Sequence, residues 1–74
     1  MEYVEMIERV LQSGANVVLN SLTVDAARRL VLVARSSGAS ITFVGGYTSD
    51  SMIELATLGG KSVTFDLAKY PAKD

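Results

Sequence analysis

The sequence contains no cysteine and no histidine. Thiolate and imidazole chemistry are therefore excluded, and with them disulfides, the usual zinc ligand sets, haem ligation by His or Cys, and any Ser-His-Asp triad. An excess of one charge is also lacking: 7 Lys and Arg stand against 8 Asp and Glu, for a formal net charge of −1. Without a basic field there is nothing to release counterions from a nucleic-acid backbone, and the cations are scattered, with Arg28, Arg29 and Arg35 in one segment and Lys61, Lys69 and Lys73 near the end. Nucleic acid is not an expected partner. Long hydrophobic runs are missing as well. The longest, Leu30 to Ala34, is far too short to cross a bilayer, and the opening MEYVEMIE places acidic residues where a secretory signal needs positive charge. The expectation is a cytoplasmic protein with no membrane partner.

What is present points to a folded chain. Of 74 residues, 49% are apolar and 20% charged, too apolar for intrinsic disorder. The length allows one domain near the lower size limit for a core without disulfides or metal. That domain is expected over residues 1–67, with 68–74, which holds the only proline, as a C-terminal tail.

Self-similarity organises the rest. Thr48 placed under Thr23 aligns LTVDAARRL with YTSDSMIEL, so that Thr, Asp and the final Leu coincide. A second alignment puts EMIERVLQSGANVVL, from Glu5, under SMIELATLGGKSVTF, from Ser51, matching Met-Ile-Glu, a Gly and the apolar strand positions. Each copy reads as a helix, a glycine-containing stop and a short strand: Asn16–Asn20, Ser40–Val44 and Ser62–Asp66. Spacings of this size, about 20 to 29 residues, belong to α/β solenoid repeats. Helix starts are marked by Thr23 with Asp25, and by Thr48 with Ser49 and Asp50, whose oxygens accept from unpaired backbone donors. Helix ends are marked by Gly14, Ser37-Gly38 and Gly59-Gly60.

Tyr3, Met6, Ile7, Val10 and Leu11 form one stripe at helical spacing, and Met52, Ile53, Leu55 and Ala56 another. LVLVA in the middle helix is apolar nearly all round, as suits a helix with neighbours on both sides. Strand alternation sends Val17, Leu19, Ile41, Phe43, Val63 and Phe65 to one face, and Val18, Thr42, Val44 and Thr64 with polar companions to the other. One apolar face and right-handed crossovers predict an α/β fold of order αβαβαβ, with a parallel three-stranded sheet in order 1-2-3 and all helices on one side.

In open parallel sheets ligands gather beyond the carboxyl ends of the strands. Here that edge carries Asn20, Ser21, Gly45, Gly46, Tyr47, Thr48 and Asp66, the candidate ligand-binding set. Gly45-Gly46 ahead of a helix start allows close backbone approach to an anion, but it lacks the GxGxxG and Walker patterns, and Asp50 would repel a negative group. Tyr47 also reads as a cover over the end of the core, in the place of Leu22 one copy earlier. Asp25, Asp50 and Asp66 have no metal-loop spacing. Ser21, Ser51 and Thr48 have no base to activate them. No catalytic residue, metal or cofactor is expected.

The T-x-D pairs, the Glu54 to Gly60 stretch ELATLGG and the Val63-Thr64-Phe65 strand resemble small bacterial proteins of tandem βα repeats, some of which carry the name limonene hydroxylase. That resemblance, over most of residues 5–67, implies the repeat fold. A hydroxylase would ask for a haem, flavin or non-haem iron site, and this chain has no His or Cys to hold iron and no flavin fingerprint, so the activity is not carried over. Asp25, the following helix and the stretch Arg35 to Gly45 are also similar to part of a sulfate-transporter and anti-sigma-antagonist (STAS) domain. That resemblance implies a small regulatory protein, although Ala26 stands where the phosphorylated serine would be. The expectation is a non-catalytic protein-interaction or self-association module, a homodimer formed through Val18, Thr42, Val44 and Thr64. The alternative is a regulatory or ligand-binding protein that uses the strand-end loops.

Overall fold

The computed structural model describes residues 2–20 and 22–68. Helix α1 (Tyr3–Gln12) leads into strand β1 (Val17–Asn20), α2 (Val24–Ser37) into β2 (Ile41–Val44), and α3 (Ser49–Gly59), through a 3-10 turn at Gly60–Ser62, into β3 (Val63–Asp66). The strands are parallel and lie in the order β1-β2-β3. Two consecutive helix-strand steps with the same crossover place α2 between α1 and α3, in one layer over one face of the sheet. The architecture expected from the repeat is the one observed. Among the described residues no helix is long and apolar enough to cross a membrane.

Local chemistry sets the boundaries. Thr23 and Thr48 sit in extended conformation before α2 and α3, and their side-chain oxygens accept from the backbone N–H groups of Ala26 (3.3 Å) and Ser51 (3.2 Å). α1 begins at Glu2 without a side-chain cap. At the other end of α2, Gly38 takes a left-handed conformation (φ 71°), and the N–H groups of Gly38 and Ala39 both return to the Ala34 carbonyl. Each strand begins one residue later than the alternation pattern suggests. The preceding polar residue still contributes to the sheet edge, since Asn16 Oδ1 accepts from Ser40 N–H at 3.0 Å.

Register aligns the inward side chains in rows. Val17, Ile41 and Val63 form one row, and Leu19, Phe43 and Phe65 the next. Phe43 is fully buried, stacks on Phe65 with ring centroids 5.8 Å apart, and meets Tyr47 edge-on at 5.4 Å. Ile7 and Leu11 of α1, Ala27, Leu30, Val31 and Ala34 of α2, and Leu55 of α3 close the core from the helix side.

The helix stripes are narrower than their spacing suggests. On α1 only Ile7 and Leu11 are buried, while Tyr3, Met6 and Val10 are exposed; on α3 Leu55 is buried, while Ile53 and Ala56 face solvent. α2 is not covered all round either, because Leu32 is exposed. A helix in a single layer over a sheet has a solvent side, and an end helix has an open flank as well. Ile7 is buried and Ile53 exposed, so the Met-Ile-Glu match is two residues out of structural register: burial equates Ile7 with Leu30 and Leu55.

Candidate functional site

The carboxyl ends of the strands bring Asn20, Gly45, Gly46, Tyr47, Thr48 and Asp66 to one edge, whereas Ser21 lies outside the described residues. Gly45 and Gly46 both have positive φ, 77° and 91°, a left-handed turn that only glycine adopts easily. This turn delivers Tyr47 into the core rather than to solvent. Its ring covers Phe43, and its hydroxyl oxygen accepts from Leu22 N–H at 2.9 Å, tying the loop after β2 to the loop after β1. Thr48 is committed to its helix: its hydroxyl accepts from Ser51 N–H and donates to Ser51 Oγ at 3.1 Å. Asp66 Oδ1 accepts from Ala68 N–H at 3.0 Å, turning the chain as it leaves β3. Asp25 is ion-paired with Arg28 at 2.7 Å. Among the described residues no three carboxylates are grouped to hold a metal ion. What remains open at this edge is Asn20, the exposed Gly46 and Asp50.

The helix-free face of the sheet carries the rows Val18-Thr42-Thr64 and Asn20-Val44-Asp66. Thr42 and Val44 are half-buried, shielded by strands on both sides. Val18 is 70% exposed, more than any other large apolar residue described.

Sequence reasoning missed two features. The first is an ionic clamp across the helix layer, in which consecutive arginines of α2 reach in opposite directions. Arg28 holds Glu54 of α3 through Nε and Nη2 (2.6 and 3.0 Å), and Arg29 holds Glu8 of α1 (3.0 and 2.8 Å). Hydrogen bonding to the guanidinium, reinforced by its charge, holds the carboxyls of Glu8 and Glu54 below their ordinary value and raises both arginines. The signal in the sequence was the Arg-Arg pair in mid-helix, flanked in chain order by acidic helices. The second is an apolar groove of about 260 Å³ on the outer flank of the last repeat, lined by Ser49, Met52, Ile53, Ala56, Phe65 and Leu67. Its lining comes from α3, β3 and the segment after β3, so no single periodic stripe announces it.

Comparison with known proteins finds no matching family model, no matching curated protein and no matching solved structure.

Proposed function

We propose that this chain is a non-catalytic protein-interaction module whose partner is a second copy of itself, bound through the helix-free face of the sheet. The observation that carries the reading is Val18, 70% exposed in the middle of a strand, with Thr42, Thr64 and Val44 as neighbours on the same face. A surface of Val and Thr is easily desolvated, and its one carboxylate, Asp66, lies on the last strand with an oxygen already turned to Ala68 N–H. Among the described residues nothing covers the second face of the three short strands, an exposure that antiparallel sheets tolerate better than parallel ones. A second copy would enlarge a core that 74 residues barely fill.

The test is sedimentation equilibrium over an about hundredfold concentration range, since association follows mass action. The wild-type chain is expected to shift from monomer to dimer or larger species as concentration rises. Val18→Lys should lose the dimer formed through the sheet face with an unchanged circular dichroism spectrum, because a lysine at so exposed a position reaches water in the folded chain. A monomeric mass for the wild type throughout would refute the reading.

A further inference from the structure

The two ends of the helix layer are apolar where its internal seams are ionic. Burial equates Ile7, Leu30 and Leu55 as the inward position of each helix, with offsets of 23 and 25 residues. On that register Arg28, the residue of α2 that reaches across to α3, corresponds to Ile53 on α3, and its partner Glu54 corresponds to Met6 on α1. The α2/α3 seam therefore holds an Arg-Glu pair at the position where the outer flank of α3 presents Ile53 and the outer flank of α1 presents Met6. The α1/α2 seam is ionic too, through Arg29 and Glu8. Ile53 is 64% exposed and Met6 46%. Tyr3 and Val10, a turn to either side of Met6, are also exposed, and Ile53 opens onto the groove shared with Phe65 and Leu67. Among the described residues β1 and β3, of 4 residues each and beside these flanks, pair with β2 on one edge only.

We propose that copies of this chain stack head to tail, the Tyr3, Met6 and Val10 flank of one seating in the Ile53, Phe65 and Leu67 groove of the next. The proposal rests on the reading of the chain as a self-associating module and gives it a second surface, separate from the sheet face. Each seam within the chain already shows what covers such a flank: the next helix of the repeat, with the next strand beside it. Replacing an ion pair by apolar residues on both sides of the same seam position suits a contact that excludes water. Such a contact is heterologous. It joins unlike flanks, so every assembly that does not close into a ring keeps one free flank of each kind.

The absence of native cysteine makes the test direct. Under mild oxidation, Met6→Cys mixed with Ile53→Cys is expected to give covalent dimers, while either variant alone gives few. The double variant should give a ladder of longer species or covalent rings. Adding Tyr3→Lys to the Met6→Cys chain should slow cross-linking roughly tenfold, the equivalent of a tenfold weaker contact. Adding Val18→Lys to it should leave the rate unchanged. Equal self-pairing of each single variant would mark random collision and overturn the proposal. Efficient Val18→Cys homodimers without Met6→Cys to Ile53→Cys dimers would overturn it while leaving the sheet-face reading standing. If a chain carrying Ile53→Cys and Tyr70→Cys closed on itself ahead of any pairing between chains, the groove would belong to the chain's own C-terminal residues, and the stacking proposal would fail.

Discussion

A methyl group added to Gly59 would meet Val63 Cγ2 and Val31 Cγ1, so α3 approaches β3 and α2 there more closely than any other residue type permits. Gly60, next in the chain, is a glycine for a different reason, a left-handed φ of 56° where the helix stops. The doublet reads in sequence as one stop signal, because conformational need and close approach leave the same letter. Gly59→Ala separates them. In an open helix the change gains about 0.5 to 1 kcal/mol from reduced backbone freedom. Here overpacking should outweigh that gain and destabilise by about 1 to 3 kcal/mol, with Val63→Ala restoring part of the loss. Urea midpoints of the two variants check it, and a Gly59→Ala chain as stable as the wild type would show that α3 can move outward without cost. Tyr47 was likewise only half legible. Its aromatic character suited either a binding loop or a cover for the core, and the choice depends on the Gly45-Gly46 turn that aims it at Phe43.

Elements were more legible than contacts. Alternation along VVLN, ITFV and VTFD, broken only by the outward Val18 and Val44, determines both strand identity and facing, since a one-residue slip would turn every side chain over. Helix stripes carry less information, because an apolar residue at the right spacing lies either on the core side or on an open flank, as Met6 and Ile53 show. Pairing between helices was not legible, yet it confers a pH dependence. Glu8 and Glu54 are held below their ordinary 4.5 by Arg29 and Arg28, so in the folded state they keep their charge to lower pH than in the unfolded state. Their stabilisation is fully present above that ordinary value and is lost as pH falls through the lower folded values. Both pairs are partly solvated, which keeps the effect small and sensitive to salt. The stability gap between the wild type and a Glu8→Gln, Glu54→Gln variant should therefore close on acidification below about pH 4.5. Denaturant midpoints measured from neutral to acid pH check this, and a gap constant with pH would assign the clamp no electrostatic role.

At the scale of the whole molecule, the described residues form a row in which β1 and β3 each pair only with β2, and α2 lies between the two end helices. Stability in such a row is close to a sum of each repeat's own tendency to fold and the seams between neighbours. The middle repeat has two seams and each end repeat has one, so the ends can open while the middle stays closed. Amide hydrogen exchange should record this as a gradient. The N–H groups of Ile41–Val44 and of α2 around Leu30, Val31 and Ala34 are expected to exchange only through complete unfolding, with rates that respond steeply to low denaturant. Those of α1 and β3 should exchange faster, through partial openings that respond weakly, and each end should open without the other. Equal protection along the whole chain would mean that the three repeats fold as one indivisible unit. A gradient would also rank the seams by strength, and in a stack of copies the fraying ends of one molecule would be the first to gain protection.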